Sequence, residues 1–178
     1  MADEEQDRLR LMVMNAVIMA LALSLPVVFH LVGLGNKFLP MLLPLLLNGF
    51  LSPTQWAVAV AGATPLVSAL LTGMPPLYPP VFAVLSGEAV VLAGLAGFLF
   101  RATGRKIWTS LIPAIICGRL AAFGLSWLLA TQFELPPALS SAAILIQGLP
   151  GVALQLLVVP LVLRTLAGRK GILFQNAA

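Results

Sequence analysis

The chain has 178 residues, only ten of them Lys or Arg and six Asp or Glu, while 60% are hydrophobic and the mean hydropathy is +1.04. Soluble domains carry about 25% charged residues, so this composition belongs in lipid and excludes a cytosolic enzyme, a nucleic-acid module and a multidomain protein. The formal charge of +4 and the pI near 10.0 then report orientation in a membrane rather than a polyanionic partner.

At roughly 20 apolar residues per span, the length allows at most about seven crossings with tight connections. No residue from Leu11 to Asn36 carries a fixed charge, which gives a first segment at 10 to 32. Asp3, Glu4, Glu5 and Asp7 precede it, and its apolar run exceeds the roughly 7–15 residues of a signal peptide, so it reads as a retained span. The fifty positions from Phe38 to Gly87 also lack fixed charge. They suit two helices, 38 to 51 and 54 to 73, with a turn at Leu51-Ser52-Pro53-Thr54, because Pro53 fits the first turn of a helix. The second segment is short, and Pro40 and Pro44 predict that it is kinked or partly broken. Three more segments follow at 79 to 101, 107 to 131 and 137 to 166. No internal repeat stands out.

Six spans put the N-terminus, the 51 to 54 turn, the 101 to 107 loop and the C-terminus on one side. That side collects Arg8, Arg10, Arg101, Arg105, Lys106, Arg164, Arg169 and Lys170, against Lys37 on the other. The asymmetry predicts both termini in the cytoplasm, with Asn36 and Glu134 external. The expected fold is an all-α integral membrane protein of six transmembrane helices, the second of them short. It forms a single domain over 1–178, with 1–9 as a cytoplasmic N-terminal segment and 168–178 as a cytoplasmic tail.

Polar groups within the spans are costly in lipid and are functional candidates by default. With the cytoplasmic charges set aside, the candidates in the spans and their external connections are His30, Lys37, Glu88, Arg119 and Glu134, with Asn48, Gln147 and Gln155. At ~1.5 Å rise per residue, Glu88 and Arg119 both fall near the middle or outer half of their helices, within reach of a direct pair. Such a pair serves either helix packing or a ligand. His30 ends the first helix just before Gly33 and Gly35, where an interfacial, water-facing histidine is equally natural. Trp56 and Trp108 fall at cytoplasmic interfaces as membrane-belt anchors, whereas Trp127 and Tyr78 approach the external face, open to belt and ligand-stacking roles alike. Thr72 to Pro80 holds four prolines in nine residues and reads as a stiff external wall. The 33 to 37 stretch, with Gly33 and Gly35, reads as a lid.

For catalysis the sequence is poor. It has neither a phosphate-binding Gly-x-x-x-x-Gly-Lys-Ser/Thr loop nor a Gly-x-Ser-x-Gly elbow to partner its one histidine. Ser68 and Ser86 read as small packing residues at helix contacts. With one cysteine, Cys117, inside an apolar run, there is no disulfide framework and no thiolate site. One histidine cannot build a multi-histidine metal centre. No catalytic and no metal-ligating residue is expected.

Taken together, Gly33-Leu-Gly-Asn-Lys-Phe-Leu-Pro-Met41 with Pro44, Gly62-Ala-Thr-Pro-Leu-Val-Ser-Ala-Leu-Leu-Thr-Gly-Met-Pro-Pro76, Gly87-Glu88 and Cys117-Gly-Arg119 resemble the substrate-binding S components of energy-coupling factor (ECF) vitamin transporters. The resemblance covers nearly the whole chain and is most specific in the Thr-Pro-Leu-x-Ser and Gly-Met-Pro-Pro stretches. It implies a subunit in a prokaryotic cytoplasmic membrane that captures a vitamin or related micronutrient from outside. A transmembrane coupling subunit and two ATPases would drive uptake, with ATP used by the partners and no cofactor in this chain. The small-residue pattern Ala16-Val-Ile-Met-Ala20 matches the family's contact with the coupling subunit, since small residues four apart let helices approach closely.

Two departures are visible. Leu42 and Leu43 follow Met41 where related sequences often have His, and the N-terminus lacks the histidine of nickel and cobalt members, which argues against a metal-ion substrate. The resulting substrate-binding set is His30, Asn36, Lys37, Met74, Tyr78, Glu88, Arg119, Trp127 and Gln147. Alternatives are a membrane scaffold or assembly subunit outside transport, in which Glu88 and Arg119 are structural, and, more remotely, an intramembrane enzyme.

Overall fold

The computed structural model describes residues 2–31, 33, 39–78, 80–133, 146 and 148–167, with no strand among them. They form six helices: α1 (Ala2–Leu31), α2 (Leu42–Leu51), α3 (Thr54–Thr72), α4 (Val81–Ala102), α5 (Ile107–Gln132) and α6 (Leu149–Ala167). All except α2 are long and apolar enough to cross a membrane. The boundaries of α3, α4 and α5 lie within two residues of the sequence expectation. α1 begins earlier, at Ala2, with Glu4, Glu5 and Asp7 in its first turns, where carboxylates favour a helix start. The described part of the sixth helix starts at Leu149; residues 134–145 and 147, and the 168–178 tail, lie outside the described residues.

The expected 38 to 51 segment is interrupted at Pro40, since residues 39–41 are not helical, but not at Pro44. Pro40 precedes α2 and Pro44 sits in its first turn, where no intrahelical N–H is needed, so the ten residues run without interruption. At ~1.5 Å per residue α2 spans about 15 Å, half of the roughly 30 Å hydrocarbon layer. Apart from Asn48 it carries no polar side chain, and seven of its ten residues are buried. A helix apolar on every side belongs inside protein, and α2 lies against α1, α3, α4 and α6.

Lipid tails are as apolar as leucine, so helices in a membrane associate through close packing of small residues and interhelical hydrogen bonds. The α2–α4 crossing is built this way. A Cβ on Gly49 would run into the backbone of Ala93, and one on Gly97 would lie 2.6 Å from the Gly49 carbonyl oxygen. On α4's next side, Ser86 Oγ donates to the Gly62 carbonyl of α3 at 3.0 Å, a helix contact as expected for a small serine. A Cβ on Gly94 would sit 3.1 Å from Val58 Cγ2. On its third side, Gly87 makes room for Leu125 of α5, and Gly118 of α5 makes room for Leu92.

A buried polar network closes one end of the bundle, between α1, α2 and the α2–α3 turn. Asn48 Nδ2 donates to Asn15 Oδ1 at 2.9 Å, and the Ser52 hydroxyl lies 2.8 Å from Asn48 Oδ1 and 3.2 Å from Asn15 Oδ1. Asn15 Nδ2 returns to the Leu11 carbonyl at 2.8 Å. Arg101, from the last turn of α4, completes the closure. Its guanidinium donates to the Ser52 carbonyl, to Thr54 Oγ1 at 3.0 Å and to the Gly97 carbonyl at 2.7 Å. Buried amides and hydroxyls of this kind are tolerated only when each finds partners, and here they lock α1, α2, α3 and α4 in register.

Candidate functional site

The opposite end of the bundle holds the lead-in to α2 from Leu39, the α3–α4 connection, the end of α5 and the start of α6. The α3–α4 connection is secured at its root. The α3 helix ends at Gly73, whose φ of 71° is the left-handed conformation that closes a helix, with its N–H on the Ala69 carbonyl. Ser68 Oγ then donates to the Met74 carbonyl at 2.6 Å, and Thr72 Oγ1 both bonds Ser68's carbonyl at 2.8 Å and accepts from the Met74 N–H at 3.2 Å. Ser68 therefore anchors the connection, a role beyond the helix packing expected of it. At the far side of the connection the Tyr78 ring meets Phe133, just past the end of α5, edge to face at 6.4 Å.

Inside this half, Glu88 of α4 and Arg119 of α5 form a direct ion pair through Oε1 and Nη2. The local sequence explains why the two side chains reach each other. Each charged residue follows a glycine, Gly87 or Gly118, that brings the two helices close by accepting a leucine from the other. Glu88 and Arg119 side chains are only 4% and 13% exposed. The Arg119 guanidinium rests on Gly148, at the foot of α6, where a Cβ would collide with Nη1 and would lie 3.5 Å from Leu39 Cδ1. Two connections thus converge beside the pair: Leu39 comes from the lead-in to α2 and Gly148 from the lead-in to α6.

The other sequence candidates are distributed differently. Met74, Tyr78 and Trp127 stand out from the bundle at 56%, 73% and 56% exposure. His30 lies in the last turn of α1, and only its backbone is described; Asn36, Lys37, Glu134 and Gln147 fall outside the described residues, as does most of the 33 to 37 segment. Gln155 is buried in α6, and Leu42 is fully buried in the core. Among the described residues no group of three or more His, Cys, Asp or Glu could hold a metal ion.

On α1, Ala16 and Ala20 are exposed beside Val13, Val17 and Leu21, while Asn15, Ile18 and Ala22 face inward. This small-residue face is turned away from the bundle, and Asn15, which orients it, is the residue next to Ala16.

Residues 10–163 match the family described as ECF transporter, substrate-specific component. The chain belongs to that family. Its members are transport components that work with a small-molecule substrate and with the coupling and ATPase subunits of the transporter, and five long apolar helices fit a multi-pass membrane subunit of this kind. No curated protein and no solved structure matches the chain.

Sequence reasoning found the Glu88–Arg119 pair but missed Gly148 and the network of Asn15, Ser52 and Arg101. Arg101 reads as an ordinary loop cation in the sequence. Asn15, an amide in an uncharged stretch of 26 residues from Leu11 to Asn36, carries the one signal that pointed there.

Proposed function

We propose that this chain captures a vitamin or similar micronutrient from outside a prokaryotic cytoplasmic membrane and delivers it to a transmembrane coupling subunit driven by two ATPases. The observation that carries this reading is the buried Glu88–Arg119 pair, set where the connections into α2 and α6 converge. A polar pair inside a membrane bundle offers directional contacts to a small molecule, and intramembrane ionisable groups mark substrate paths. In this reading both termini are cytoplasmic, so the site lies toward the outside and the Asn15–Arg101 network toward the inside, with no cofactor in the chain itself. Ala16 and Ala20 form the face that the coupling subunit's helix meets.

Native mass spectrometry of the purified chain tests capture. A small molecule retained at unit stoichiometry, and released on unfolding, supports the reading. A cooperatively folded chain that retains none, and is stabilised by none in a thermal-shift screen of vitamin-sized compounds, leaves the scaffold role instead.

A further inference from the structure

In the half of the bundle that holds the lead-in to α2 and the start of α6, Glu88 and Arg119 are the only fixed charges among the described residues, and they are paired with each other. From this we infer that the captured molecule carries no net charge at neutral pH. It presents a hydrogen-bond donor and acceptor side by side, as an amide, a lactam edge of a heterocycle or a zwitterion does, and is not a carboxylate or phosphate anion. The inference deepens the proposed capture function and rests on it.

Charge balance in a poorly solvated place disfavours a charged ligand at the pair. A monoanion on Arg119 would either displace the Glu88 carboxylate, in a residue 3% exposed, or stand beside it as a second negative charge on one guanidinium. Removing one member of a buried pair is strongly unfavourable, because the charge left behind is neither hydrated nor compensated. A monocation on Glu88 would leave the mirror problem at Arg119. Its guanidinium is held between Glu88 and the backbone of Gly148, and at 13% exposure it is little hydrated.

A neutral donor–acceptor edge avoids both costs. A carboxylate has two acceptor oxygens and a guanidinium five N–H donors, so a pair joined through Oε1 and Nη2 still has the capacity to accept one bond and give one. The ligand's N–H would go to the carboxylate, its oxygen or ring nitrogen would accept from the guanidinium, and the ion pair would stay intact beneath it. Charge-assisted bonds of this kind are about twice as strong as neutral ones, which gives a neutral molecule tight binding without a net charge of its own.

The test uses the molecule that co-purifies with the full chain, identified by mass spectrometry, as titrant. Where none is retained, sets of neutral, zwitterionic, anionic and cationic vitamin-sized compounds are screened by thermal shift, and the compound that stabilises most becomes the titrant. Affinity is measured for the parent, Glu88→Gln, Arg119→Gln and the isosteric double variant, with melting temperature as the check on folding.

The expected titrant is neutral or zwitterionic. Each single variant should weaken it by roughly tenfold or more, as expected for a lost charge-assisted contact, and the double variant should bind more tightly than the worse single one, since it leaves no unpaired buried charge. An anionic titrant whose binding tightens in Glu88→Gln overturns the inference and makes Arg119 an anion site, while leaving the capture function standing. A folded parent protein with no saturable titrant in any charge class overturns both.

Discussion

The α2–α4 crossing gives the sharpest structural prediction, because the backbone of one helix touches the other with no side chain to yield. In Gly49→Ala the new methyl would meet the Ala93 carbonyl oxygen inside van der Waals contact and lie 3.1 Å from both its carbonyl carbon and Cα. None of these atoms can rotate away, so α2 and α4 must separate. Overpacking of this kind costs about 1–3 kcal/mol. At roughly 2–4 °C per kcal/mol for a chain of this size, the melting temperature in detergent should fall by several degrees. Two other glycines calibrate the experiment. Gly94→Ala meets a single methyl of Val58 at 3.1 Å, a neighbour that can shift by a few tenths of an ångström, and Gly124→Ala meets nothing within 4 Å. In an exposed helix position, Ala is better than Gly by about 0.5–1 kcal/mol, so Gly124→Ala should melt at or above the parent. The expected order is Gly49→Ala lowest, then Gly94→Ala, then Gly124→Ala. If Gly49→Ala melts with Gly124→Ala, α2 does not pack against α4 as described.

Further expectations follow from the polar network and the α1 face. Asn15→Leu removes the acceptor of Asn48 and Ser52 and should destabilise by about 1–2 kcal/mol; Asn15→Leu/Asn48→Leu together should cost less than the sum of the singles, measured by thermal melting, and simple additivity would deny the direct bond. Arg101→Lys should lower the melting temperature although the charge is kept, because an ammonium lacks the planar fork that reaches Ser52, Thr54 and Gly97; an unchanged melting curve would make Arg101 a solvent-facing cation. Ala16→Trp should leave small-molecule binding intact and abolish co-purification with the coupling subunit, and equal co-purification would remove this face as the docking site. In a Cys117→Ser background, a cysteine at position 36 should react with an impermeant reagent in intact cells and one at 104 should not; the reverse pattern would invert the topology.

Much of the fold is legible in the sequence because the bilayer simplifies the problem. Charge-free stretches, with Pro53 and the Arg105-Lys106 pair as punctuation, locate α3, α4 and α5 closely. The central burial of α2 is not legible. In lipid, an apolar residue facing a neighbour and one facing an acyl chain look alike, so no periodicity in Leu-Leu-Pro-Leu-Leu-Leu reveals which surrounds it. The same ambiguity hides α1's orientation, which becomes plain only once Asn15 is seen bonded inward to Asn48. In the site, Glu88 and Arg119 announce themselves by their cost in lipid. Gly148 does not, because its importance lies in a guanidinium that arrives from α5, a contact between residues far apart in sequence with no local signature.

Reconstitution of the full chain in proteoliposomes with a coupling subunit and two ATPases addresses capture and delivery most directly. Uptake of the retained small molecule is followed with ATP enclosed on the ATPase side. Accumulation that needs ATP, the partner subunits and this chain together, and that is lost in Ala16→Trp, is the expected result. If the chain neither binds the molecule saturably nor changes its uptake when added to the partners, it is not their substrate-capturing subunit.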